Sequence, residues 1–100
     1  MTKTRYKVIT SKGAKKSLKK MGMPRSGDIE RWIEKNLDDC ENPRFKGKPL
    51  KGDYKDQWRY DVGGGYRVIV DIDDKNRLIE VTKVGHRREV YKAWVLFLMR

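Results

Sequence analysis

A chain of 100 residues is one domain's worth of polypeptide, with room for a core that folds without staples. Apolar residues make up 37% and charged residues 39%, and the apolar ones recur in periodic runs, which excludes a disordered tail. A net charge of +11 and an isoelectric point near 9.9 cost stability through self-repulsion and point to an anionic partner: nucleic acid first, an acidic protein second, an anionic membrane surface last.

The first residues carry lysines with no apolar stretch behind them, so a secretory signal is not expected. Residues 5–10 (RYKVIT) read as a first strand. Ser11 is placed to cap a helix running through Met21, on which Ala14, Leu18 and Met21 recur at helical spacing. Lys15, Lys16, Lys19 and Lys20 fill the rest of its surface; such a face is most often simply solvated, and contact with a polyanion is the alternative. Gly22 ends this helix and Pro24 follows it. Ser26 or Asp28 then caps a second helix with Ile29, Trp32, Ile33 and Leu37 on one face, and the two helices are expected to lie antiparallel across a tight turn. Cys40 is the single cysteine and no Cys/His cluster has metal-ligand spacing. Neither an internal disulfide nor structural zinc is expected, and a reducing cytoplasm is the natural setting.

Residues 41–54 read as a loop, with Pro43, Gly47, Pro49 and Gly52 set among Arg44, Lys46, Lys48 and Lys51. From residue 55 the pattern changes to period two. Trp58, Tyr60 and Val62 alternate with Arg59 and Asp61, the mark of a strand with one buried face. Gly63, Gly64 and Gly65 form a hairpin turn; neither Walker nor dinucleotide spacing surrounds them, so they are no phosphate loop. Tyr66, Val68, Val70 and Ile72 then alternate with Arg67, Ile69 and Asp71. A turn over residues 73–76 leads to a fourth strand over 77–84, and residues 88–99 read as a terminal helix. Its apolar run 93–99 (AWVLFLM) is far too short to span a bilayer and suits core packing or cover by a partner. The expected order is β-α-α-β-β-β-α. This is an α+β domain over residues 1–100: the last three strands form an antiparallel meander, two N-terminal helices pack on it and a short helix closes the chain.

The chemistry concentrates late in the chain. Arg59 shares a strand face with Asp61, Arg67 alternates away from Tyr66 and Val68, His86 and Arg87 follow the fourth strand, and Tyr91 begins the last helix. These groups are expected to converge at one end or one face of the sheet. Such a set suits RNA strand scission, where a base takes the 2′-OH proton, an acid protonates the leaving 5′ oxygen and cations stabilise the charge gathering on phosphorus. Arginine stays charged and binds phosphate through two N–H groups, while histidine exchanges protons near neutral pH. Each residue taken singly has a plainer reading: a solvated arginine, a hydrogen-bonding histidine, a core tyrosine. No carboxylate pair or metal cage offers a competing mechanism.

The ordered set GKPLKG at 47–52, WRY at 58–60, GYRVI at 65–69 and VGHR at 84–87 with Val90-Tyr91 resembles the RelE/ParE toxin superfamily, the RelE branch above all. The resemblance covers nearly the whole chain and implies a toxin of a type II toxin–antitoxin pair with a microbial RNase-like fold. Toxins like RelE enter the ribosomal A site and cut mRNA there, leaving a 2′,3′-cyclic phosphate and a 5′-OH. The implied partners are a cognate antitoxin protein, the ribosome with its rRNA, and mRNA; no cofactor, metal or membrane is implied. By position, Arg67 and Arg87 become phosphate and transition-state contacts, Tyr91 or His86 the proton-transfer groups, and Arg59 a binding or charge-stabilising group. Lys46, Lys48, Lys51, Arg59 and Arg88 are the expected RNA contacts. One departure stands out: relatives commonly carry a second basic residue where this chain has Asp61, and a carboxylate there repels phosphate or pairs with Arg59 or Arg67. The glycine turn is also longer than in many relatives. Within the superfamily the rival is the ParE branch, which poisons DNA gyrase; outside it, a non-catalytic nucleic-acid-binding module.

Overall fold

Period-two apolar patterning on four long segments makes a sheet with one face buried, and two amphipathic helices supply the layer that buries it. The computed structural model describes residues 5–50 and 56–88. Its elements are β1 (Lys7–Thr10), α1 (Lys12–Met21), α2 (Arg25–Asn36), β2 (Lys48–Pro49), β3 (Gln57–Gly63), β4 (Tyr66–Asp73) and β5 (Leu78–His86). One five-stranded sheet runs in the order β1-β5-β4-β3-β2. The α+β class and the antiparallel β3-β4-β5 meander are as expected. Two features add to it. β1 pairs in parallel with β5, so the sheet is mixed, and the region read as loop contributes the short strand β2 on the β3 edge. The expected terminal helix lies outside the described residues beyond Arg87 and Arg88, which begin a helical turn.

The core packs Ala14 and Leu18 of α1 and Ile29, Ile33 and Leu37 at α2 against Tyr60, Val68, Val70, Ile72, Ile79, Val81 and Val84 of the sheet. Burying one such aliphatic side chain stabilises the fold by about 1.5–3 kcal/mol. Ser11 caps α1, its Oγ accepting from the Ala14 backbone N–H at 3.1 Å, and Gly22 leaves that helix at φ +72°. The second helix starts earlier than expected. Arg25 is its first residue, so Ser26 and Asp28 lie in the first turn, where Asp28 pairs with Arg31 instead of capping. None of the described helices is long and apolar enough to cross a membrane.

Tyr60 ties the 41–49 segment to the sheet. Its ring is fully buried 5.7 Å from that of Trp32, and its hydroxyl donates to the Pro43 carbonyl. Gly47 lies so close that a Cβ there would come within 2.8 Å of the Tyr60 ring, and β2 begins at the next residue. Burial pushes the Tyr60 phenol far above its ordinary range, so it remains a neutral donor.

A second tie joins this segment to the far end of the sheet. Arg44 pairs with Asp56 and, at 2.8 Å, with Asp74, whose carboxylate also accepts the Tyr6 hydroxyl at 2.5 Å. The hydrogen bond from Arg44, followed by that from Tyr6, holds the Asp74 carboxyl below its ordinary value. A carboxyl lowered by folding stabilises fully above its unfolded value, about 3.9, and loses that contribution as pH falls through the folded one. Thermal melts of Asp74→Asn are therefore expected to fall less steeply with acidification below about pH 4 than those of the wild type.

Candidate functional site

The sheet register decides which charged side chains meet. Lys48 of β2 pairs with Arg59 of β3, Arg59 with Ile69 of β4, and Ile69 with Lys83 of β5. In the adjoining row Asp61 pairs with Arg67, and Arg67 with Gly85. Cross-strand partners point to the same side, so Lys48, Arg59, Asp61, Arg67 and Lys83 all project from the face opposite α1 and α2. Arg59 and Arg67 thus share a face, as expected. Arg67 Nε lies 2.8 Å from Asp61 Oδ1, and the two side chains are 22% and 53% exposed respectively. The pairing anticipated for Asp61 is made with Arg67. Arg59 differs: its Nε is shielded and has no hydrogen-bond partner among the described residues.

His86 stands elsewhere. It is the last residue of β5, not a residue beyond the strand, and pairs with Tyr66 on the face that carries Val84 and Val68. The cause is a bulge: Ile69 faces Lys83 while Val70 faces Val81, leaving Thr82 as an extra residue. Thr82 Oγ1 donates to the Ile69 carbonyl at 3.2 Å. Without the bulge, regular alternation from Val81 through Thr82 would put His86 on the face of Arg67; the bulge exchanges the two faces. His86 instead meets Tyr66 edge-on at 5.4 Å, with the Arg25 guanidinium 4.9 Å above the Tyr66 ring. Its Nδ1 accepts the Arg88 backbone N–H at 3.3 Å, leaving the proton of the neutral ring on Nε2. The candidate residues among those described gather at one end of the sheet but on two faces.

Gly65 allows this approach. Its φ is +81°, and a Cβ would lie 2.7 Å from His86 Nε2. The Arg87 backbone N–H donates to the Gly65 carbonyl at 2.6 Å, which holds the exposed Arg87 at the hairpin end. Among the expected RNA contacts, Lys48 joins the cationic face. Lys46 turns back to hydrogen-bond Asn36 of α2, and Arg88 is exposed after β5. Tyr91 and Lys51 lie outside the described residues. Sequence reasoning missed Lys83, because alternation from Val81 assigns it to the core side and only the bulge reverses it.

The other half of the same face is acidic. Asp71 pairs with Glu80 in the next row, and a cleft of about 500 Å³ there is lined by Asp56, Asp71, Asp73, Asp74 and Glu80. A polyanion is attracted to the hairpin half and repelled from this one. A larger cleft, about 550 Å³, lies between the helices and β1 around Val8, Leu18 and Ile33, away from both clusters. Among the described residues no group of His, Cys, Asp or Glu is arranged to hold a metal ion.

A family model described as the ParE toxin of the type II toxin–antitoxin system, parDE, matches residues 8–91. The chain belongs to this toxin family. It is a type II toxin of the RelE/ParE superfamily. Solved structures agree with the toxin fold. The RelBE2 toxin–antitoxin complex of Mycobacterium tuberculosis superposes at TM-score 0.72 with 22% identity, over 85% of this toxin and 94% of that chain. The RelE–RelB complex of Pyrococcus horikoshii gives 0.64 with 25% identity, over 83% and 96%. The isolated RelE toxin of E. coli gives 0.64 with 24% identity, over 93% and 98%. No curated protein sequence matches significantly.

Proposed function

We propose that this toxin is a ribosome-dependent endoribonuclease that cuts mRNA in the A site and is held inactive by a cognate antitoxin in the cytoplasm. The observation that carries the reading is the row of cations on one sheet face, Lys48, Arg59 and Lys83 beside Arg67, with the shielded Arg59 Nε lacking a hydrogen-bond partner among the described residues. A buried donor left unpaired is costly, and a phosphate oxygen is a natural acceptor for it. In this reading Arg67 and Arg87 hold the scissile phosphate, Arg59 stabilises the charge that builds on it, and Lys48 and Arg88 steer the strand. Tyr91 is the proton-transfer group carried by the family resemblance; His86, turned to the other face, supports the β5 end.

The partners follow from charge and kinship. A surface of net charge +11 suits rRNA, and an antitoxin that competes for it is an acidic, amphipathic segment. The superposed M. tuberculosis and P. horikoshii structures are toxin–antitoxin complexes.

A second reading, gyrase poisoning without nuclease activity, is favoured by the Asp61–Arg67 pair, which occupies a phosphate-binding arginine, and by the ParE description of the matching family. Induction of the wild type beside Arg67→Ala and Tyr91→Phe, with primer extension on translated mRNA, separates the two. Ribosome-dependent cuts that disappear in the variants support the nuclease. Growth arrest with intact mRNA and damaged DNA supports the gyrase poison instead.

A further inference from the structure

Asp61 is a carboxylate set among the lysines and arginines of the cationic sheet face. Among the described residues, the other members of its two rows are Lys48, Arg59, Ile69, Lys83, Arg67 and Gly85. None of the cations accepts a proton while charged, and His86 projects from the opposite face. Asp71 and Glu80 belong to the next row, toward the acidic end. Asp61 is therefore the carboxylate set directly against Arg67, with more than half of its side chain open to solvent.

We infer that Asp61 is the general base of the cleavage proposed above, on which this assignment rests. Arg67 meets Asp61 through Nε, which leaves its two terminal nitrogens for two phosphate oxygens. A phosphate held there lies one guanidinium edge and two hydrogen bonds away along the path, which puts its nearest oxygen roughly 6 Å in a straight line from the Asp61 oxygen on Nε. The 2′-OH next to the scissile phosphate falls in this interval, within reach of Oδ1 or Oδ2. Asp61 takes the 2′-OH proton while the 2′ oxygen forms its bond to phosphorus, and the P–O5′ bond breaks. The leaving O5′ gains a proton from the acid of that cleavage, Tyr91 in the reading above, and solvent restores the protonation of both Tyr91 and Asp61. The products are a 2′,3′-cyclic phosphate and a 5′-OH, with no net change in protons.

The test is cleavage of ribosome-bound mRNA by the full chain in three forms: wild type, Asp61→Asn and Asp61→Glu. Thermal melts of the exposed variants confirm folding, and binding is measured with an RNA carrying a 2′-deoxy group at the scissile position. Asp61→Asn is expected to lower kcat by roughly 100-fold or more, the usual worth of a general base, while that RNA binds as tightly as to the wild type or more so. Asp61→Glu is expected to recover much of the rate. If the wild type cuts and Asp61→Asn cuts equally well or faster, Asp61 is a competitor for Arg67 and the base assignment is overturned, with the nuclease reading intact. If the wild type leaves translated mRNA whole, both are overturned.

Discussion

Arg67→Ala is expected to reduce mRNA cleavage by about 100- to 1000-fold, the loss seen when one pre-set donor to a developing oxyanion is removed. Growth arrest on induction should disappear with it. Two effects act together. The variant lacks the forked donor aimed at phosphate, and it leaves Asp61 without the cation 2.8 Å away. The freed carboxylate then repels the incoming phosphate, so the defect is expected in both binding and kcat. Arg67→Lys keeps the charge and loses the fork, and should fall between the two. Single-turnover cleavage on programmed ribosomes reads all three. Near wild-type rates in Arg67→Ala would remove Arg67 from the chemistry and with it the main support for a nuclease.

The largest effect on stability is expected at Tyr60. Truncation to alanine empties a fully buried aromatic site and should cost about 3–5 kcal/mol. For a domain of this size that lowers the melting temperature by roughly 15 °C or more. Tyr60→Phe keeps the ring against Trp32 and loses the donor to Pro43, leaving a buried carbonyl unpaired at a cost of about 1–3 kcal/mol. Because Gly47 and β2 lean on this ring, Tyr60→Ala should also loosen the grip that sets Lys48 opposite Arg59. Urea titration measures the first effect. The salt dependence of RNA binding measures the second, through a slope that becomes shallower by about one phosphate contact.

Local chemistry made much of this molecule legible. Ser11 before Ala14 and Leu18 announces a capped helix, and Gly22 with Pro24 announces its end, because caps and breakers act within a few residues. The alternation through Trp58, Tyr60 and Val62, then Tyr66, Val68 and Val70, fixes which side chains of each strand share a face. The three glycines do take positive φ, at +101°, +62° and +81°, as a tight hairpin requires. Helix α2 shows the limit. Asp28 looks like a cap, yet the helix enters at Arg25 and Asp28 spends its carboxylate on Arg31 one turn later.

By itself, then, the sequence determined the class of β1, α1, α2, β3, β4 and β5, the antiparallel meander, the +11 charge and the arginines on which an anion site depends. Tertiary structure alone decided how these combine. The parallel pairing of β1 with β5 joins residues some seventy positions apart, as Lys7 with Leu78, and no local periodicity encodes such a match. The two residues of β2 form a strand only because β3 offers its edge and Tyr60 holds Gly47 beneath it. The bulge that leaves Thr82 unpaired turns His86 away from Arg67 and brings Lys83 toward it, against regular alternation. The physical reason is the same in each case: alternation records the faces of a single strand, whereas register and bulges are settled by the hydrogen bonds its neighbours make.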